Sequence, residues 1–182
     1  MTKQKLQEKQ FMKNFKICRI IAKIFIILLC MINIFSFSND NGIESTKKSD
    51  SIILNIYYTF NNKKLSSVEE QKIIDKYVTV VRKFAHIAIY FILGFTLCSL
   101  LFEFNIALKN ILLFSILICF LYACSDEIHQ SFISGRNGNF LDVIIDSIGY
   151  LFGIFLYHSA ATSSKPPPTC PIITIALVFL SA

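Results

Sequence analysis

Residues 84–102 decide what kind of molecule this sequence can form. Nineteen consecutive positions hold no Asp, Glu, Lys or Arg and one histidine, His86. At 1.5 Å per residue such a helix is about 28 Å long, close to the hydrocarbon thickness of a bilayer. Three other apolar stretches accompany it. Residues 24–35 contain one Asn, residues 111–124 extend at both flanks, and residues 140–157 are interrupted by Asp142 and Asp146. The expected fold is therefore all-α, a polytopic membrane protein of about four transmembrane helices. Composition agrees, with 54% apolar and 16% charged residues against roughly 45–50% and 25% in soluble domains. That balance excludes disorder and collagen, and no heptad or internal repeat is present.

The net charge of +6 is local. Lys3, Lys5, Lys9, Lys13, Lys16, Arg19 and Lys23 face only Glu8 within the first 23 residues, and acids and bases cancel over the remainder. A basic block can be a nucleic-acid arm. This one runs straight into an apolar segment, which the positive-inside rule explains better, so the N-terminus is expected in the cytoplasm and no nucleic-acid partner is expected. Residues 1–16 form a basic cytoplasmic arm. Residues 17–37 suit either a signal peptide or a retained helix with Arg19 and Lys23 snorkelling to the inner face, and the retained anchor is the preferred reading. The six cysteines show neither a C-x-x-C pair nor zinc spacing, so no metal or disulfide framework is assigned from them.

Residues 38–81 are polar and are expected as an extracellular loop, with residues 52–60 as a short strand or interfacial segment. A helix is expected from about Ser66 to Tyr77, with Ser67 as N-cap and Glu70 at N3, a capping-box pattern. Residues 82–157 form the membrane core. The tail, residues 158–182, differs in composition: Pro166, Pro167 and Pro168 stop any helix, and the final apolar run is too short to span.

Helix counting then brings three places to one face: the start of the second span, the end of the third and the start of the fourth. These hold Arg82, Lys83 and His86; Asp126, Glu127, His129 and Gln130; and Arg136, Asp142 and Asp146. Arg82, His86 and Tyr90 share one helix face, as do Asp142, Asp146, Gly149 and Gly153. The glycines form a small-xxx-small pattern that admits a close neighbour helix. A charge at mid-bilayer costs about 2.5–3.5 kcal/mol on insertion scales, so Asp146 and His86 are expected to face each other or water.

Each group has a plainer structural role open to it. Asp126, Glu127, His129 and Gln130 suit a solvated helix end, Arg82 and Lys83 interfacial anchoring, His86 a hydrogen-bonded core position, and Asp142 and Asp146 structural ion pairs with Arg136 or Arg82. As a site, the cluster supports three chemistries. Arg82, Lys83 and Arg136 are suited to a phosphate or carboxylate on an anionic or lipid-linked ligand. Asp126, Glu127, His129 and His86 are suited to acid–base or metal-assisted hydrolysis or transfer on a lipid or cell-wall precursor, although H-E-x-x-H, G-x-S-x-G and P-loop motifs are absent. Asp146 and His86 also suit a proton relay, but four spans without a repeat argue against a stand-alone transporter. No cofactor is identified.

The ordered set Arg82-Lys83-x-x-His86-x-x-x-Tyr90-x-x-x-Gly94, Ser125-Asp126-Glu127-Ile128-His129-Gln130-Ser131-Phe132, Gly135-Arg136 and Asp142-x-x-x-Asp146-x-x-Gly149-x-x-x-Gly153 resembles the VanZ-like family of bacterial membrane proteins. The likeness covers about residues 82–153, and Asp146 stands where the family often carries Asn. The resemblance implies a multi-pass protein of the bacterial cytoplasmic membrane and a link to low-level resistance to the glycopeptide teicoplanin. It does not imply a biochemical mechanism. The outer-face placement of the cluster fits a ligand at the cell surface.

Overall fold

A computed structural model of the chain describes residues 3–39, 42–61, 65–133 and 138–163. They form five helices: α1 (Lys3–Asn39), α2 (Gly42–Phe60), α3 (Ser67–Phe102), α4 (Leu108–Ser131) and α5 (Phe140–Ser163). Four of them, α1, α3, α4 and α5, are long and apolar enough to cross a membrane. Their outward faces carry large apolar side chains such as Phe25, Ile32, Leu117, Leu121, Phe152 and Phe155, while His86, Asp126, Glu127 and Asp146 are buried among the helices. That inside-out distribution is stable only where lipid is the solvent for the outer surface. The chain is a multi-pass membrane protein.

The bundle is built around α3 and α5, the most extensively paired helices, which run parallel. Glycine makes this possible. A Cβ on Gly149 would press on the carbonyl oxygen of Ile87, one on Gly153 on that of Phe91, and one on Gly94 on that of Tyr150. These are backbone atoms that cannot swing aside, so small residues on both helices set the approach. Tyr90, Leu93, Leu97, Tyr150, Ile154 and Tyr157 fill the seam. The α1 and α4 helices run antiparallel to this pair. The Tyr122 hydroxyl of α4 donates to the Met31 carbonyl of α1 at 2.7 Å.

Several expectations are corrected. The segment 52–60 is not a strand but the second half of α2, and the polar stretch 38–81 is largely helical. At 36 residues α3 is about 54 Å long, well beyond a hydrocarbon core of about 30 Å, so its first turns stand clear of the bilayer. There α2 packs on them through the buried Ile53 and Ile74. The N-cap of α3 is Ser66, not Ser67, with Glu69 completing the capping box. Ser-Ser-Val-Glu-Glu offers two registers, and Glu70 is occupied instead by the Tyr58 hydroxyl of α2, which donates to it at 2.6 Å. The α4 helix extends through Ser131, so Asp126 to Gln130 lie on its last turns, at the helix end where they are expected. Arg136 and residues 164–182 lie outside the described residues.

Arg19 and Lys23 also differ from expectation. Lys23 is 3% exposed and donates to Glu103 Oε1 at 2.7 Å and to the Ser99 carbonyl at 2.9 Å, while Arg19 donates to Glu103 Oε2 at 2.9 Å. Neither simply snorkels. Together they clamp α1 to the C-terminal end of α3. Burial opposes ionisation of Glu103, but the hydrogen bonds and charges of Lys23 and Arg19 outweigh it and hold the carboxyl below its usual range.

Candidate functional site

The opposite end of the bundle gathers the other polar residues. The parallel register of α3 and α5 puts Lys83 against Asp142 and His86 against Asp146. Lys83 Nζ donates to Asp142 Oδ1 at 2.6 Å, in a pair that is about one-third exposed. One turn deeper, His86 Nδ1 lies 3.9 Å from Asp146 Oδ1, beyond hydrogen-bond reach. The last turns of α4 close the third side. Gln130 Nε2 donates to Asp126 Oδ2 at 3.0 Å and to Glu127 Oε1 at 2.9 Å.

These side chains surround a chamber of about 30 Å³ lined by Arg82, Lys83, His86, Glu127, Gln130, Asp142, Ile145 and Asp146. By volume it accommodates roughly one or two waters, or one small group of a larger ligand. Arg82 and Lys83 supply positive charge against the four carboxylates of Asp126, Glu127, Asp142 and Asp146. The balance in the chamber is acidic. Asp146 is 3% exposed, and its Oδ2 has no hydrogen-bond partner among the described residues. His86, Asp126 and Asp146, one from each of three helices and all buried, offer ligand atoms within 4.8 Å of one another, a grouping that can hold a metal ion.

Glu127 has a structural task as well. Its Oε2 accepts the backbone N–H of Asn139 at 2.9 Å, and the Asn139 side chain in turn accepts the N–H of Leu141 at 3.1 Å, capping the start of α5. The connection between α4 and α5 is thereby tied to the chamber wall.

A family model described as VanZ/LLP1 matches residues 23–161. The chain belongs to the VanZ/LLP1 family. No curated protein and no solved structure matches it. The VanZ/LLP1 match begins at Lys23 and runs nearly to the end of α5, so it includes both the Lys23–Glu103 contact and the chamber, while most of the basic arm precedes it.

Of the residues that sequence reasoning selected for this VanZ/LLP1 chain, Arg82, Lys83, His86, Glu127, Gln130, Asp142 and Asp146 line the chamber, and Asp126 stands beside His86 and Asp146. His129 does not line it. Its ring stacks on Phe35 of α1 with centroids 4.6 Å apart. Arg136 lies outside the described residues. Two contributors from α1 went unnoticed: the fully buried Ser38, whose hydroxyl accepts from Gln130 Nε2 at 3.3 Å, and Phe37, 6.4 Å from the His86 ring. The polar Ser36-Phe37-Ser38 ending of an apolar helix is the sequence signal for both.

Proposed function

We propose that the chamber is the working site of this VanZ/LLP1 protein and acts at the outer face of the bacterial cytoplasmic membrane on a lipid-linked or anionic envelope ligand, with a consequence for glycopeptide susceptibility. The observation that carries the reading is the convergence of buried polar residues from α3, α4 and α5 on one small enclosed space at one end of the bundle. Structural pairing alone calls for satisfied carboxylates, whereas Asp146 keeps an oxygen with no partner among the described residues. The basic turns of α1 lie beyond the other end, and the positive-inside rule assigns such turns to the cytoplasm, which supports an outward-facing chamber. Its size restricts the mode of contact: the interior admits one phosphate or carboxylate oxygen, held from the rim by Arg82 and Lys83, with the remainder of the ligand outside it.

A second reading is favoured by the His86, Asp126 and Asp146 grouping, namely an intramembrane hydrolase or transferase acting on a lipid or cell-wall precursor. Here the carboxylates and imidazole handle a proton or activate water at the chamber floor.

The test is teicoplanin susceptibility of a sensitive Gram-positive host expressing the full chain, beside Asp126→Asn, Asp146→Asn and His129→Ala at matched membrane abundance. Protection by wild type that is lost in the two aspartate variants and retained in His129→Ala supports a working chamber. Equal protection by all four makes the cluster architectural. Absence of protection by wild type removes the resistance reading. Loss of protection on arginine and lysine charge reversal at Arg82 and Lys83, with indifference to chelators, supports ligand binding, and sensitivity to chelators supports the hydrolytic reading.

A further inference from the structure

We propose that His86, Asp126 and Asp146 bind a divalent first-row metal ion of the Mn²⁺-to-Zn²⁺ class. The inference rests on the chamber being a functional site, and it can fail separately, because metal occupancy is read on the purified chain and protection is read in cells.

Four observations lead to it. The three ligand atoms come from three different helices yet lie within 4.8 Å of one another, and the residues are only 8%, 4% and 3% exposed. The Asp146 oxygen Oδ2 has no partner among the described residues, and an unsatisfied carboxylate oxygen in the interior is costly unless a cation or donor answers it. The nearest lysine does not serve, since Lys83 is committed to Asp142 at 2.6 Å. Finally, 3.9 Å between His86 Nδ1 and Asp146 Oδ1 is too long for a hydrogen bond but within reach of two ligands on one ion with bonds of about 2.0–2.2 Å, and a small side-chain rotation brings atoms up to 4.8 Å apart onto the same ion.

The surroundings suit an ion with an open coordination position. Gln130 holds the Asp126 carboxylate from its other side at 3.0 Å, the kind of outer contact that fixes a ligand's orientation. The adjoining 30 Å³ leaves room for water on the ion. One imidazole with two carboxylates favours Mn²⁺, Fe²⁺ or Zn²⁺ over Ca²⁺ or Mg²⁺, which prefer oxygen alone. Two carboxylates also neutralise a dication, which removes the cost of leaving them charged in a membrane interior.

The experiment uses the full chain in detergent, stripped with chelator and titrated with Mn²⁺ while the free ion is followed by electron paramagnetic resonance. Manganese is chosen because thiolates bind it weakly, so the cysteines do not compete. Expected is saturable binding of one Mn²⁺ per chain, displaced by Zn²⁺, with affinity weakened at least about tenfold in His86→Ala and in Asp146→Asn and unchanged in His158→Ala. Helical circular dichroism and size-exclusion elution establish that each variant is folded. If either variant fails to fold, Asp126→Asn and His86→Gln take its place with the same expected loss. Wild type with no saturable Mn²⁺ or Zn²⁺ binding overturns the proposal, as does wild-type affinity in folded variants of His86 and Asp146.

Discussion

The bundle carries a polar cluster at each end, and the two are built on opposite terms. At one end Glu103 takes both carboxylate oxygens to cations, Oε1 to Lys23 and Oε2 to Arg19. At the other, Glu127, Asp142 and Asp146 share a chamber with Arg82 and Lys83, the lysine is taken by Asp142, and Asp146 is left with an oxygen that has no partner among the described residues. Burial is comparable: Lys23 and Asp146 are each 3% exposed. Burial by itself therefore does not separate architecture from function. The saturation of the carboxylate does: both oxygens of Glu103 are bonded, whereas one oxygen of Asp146 has no partner among the described residues. A carboxylate with both oxygens bonded stabilises the fold, and one with an oxygen left over is open to something that arrives later.

The contrast can be broken most severely at Glu103. Glu103→Ala leaves Lys23 buried without its carboxylate, a loss of about 3 kcal/mol or more, read as reduced thermal stability in detergent. Replacing both partners, Lys23→Met with Glu103→Leu, should recover most of it. Next in size is Gly153→Val, whose side chain meets the Phe91 carbonyl. Overpacking of this kind costs about 1–3 kcal/mol, and because it separates α3 from α5 it should disturb the chamber too, unlike Glu103→Ala.

A smaller effect comes from pH. The Glu103 carboxyl is held below its usual range, so its pairing contributes fully above the ordinary glutamate value of about 4.3 and is lost as pH falls through the lowered folded value. Acid unfolding curves of wild type and Glu103→Gln should therefore converge at low pH and diverge above it. The least effect is expected at the chamber rim. Lys83→Met removes a partly exposed pair worth about 0.5 kcal/mol, and a stability change much larger than that in a thermal scan would move Lys83 to the structural side of the comparison.

Much of the chamber was legible before any coordinates because helical periodicity fixes which residues share a face. Arg82, His86 and Tyr90 could be placed together, as could Asp142, Asp146, Gly149 and Gly153, and counting spans brought the two faces to the same end. Contacts that depend on how a helix is rotated against a distant partner were not legible. Nothing local ties Lys23 to Glu103, and the rotation that stacks His129 on Phe35 depends on how α1 packs against α4. The extramembrane part was misjudged because Lys, Asn and Ser mask the apolar spacing of Ile53, Ile56, Tyr57 and Phe60, which packing on α3 makes helical. The cap of α3 slipped by one residue because tertiary contact, the Tyr58–Glu70 bond, chose between two equivalent local boxes.

The most direct measurement compares two isosteric changes in the same detergent with chelator present: unfolding free energy of Asp146→Asn against that of Glu103→Gln. The expected result is opposite in sign, with Glu103→Gln less stable than wild type and Asp146→Asn equal to it or more stable. The first loses a carboxylate bonded through both oxygens, and the second replaces one that leaves an oxygen without a partner among the described residues. Destabilisation of Asp146→Asn by as much as Glu103→Gln would contradict this, and the chamber would then be a structural ion cluster like the one at the other end.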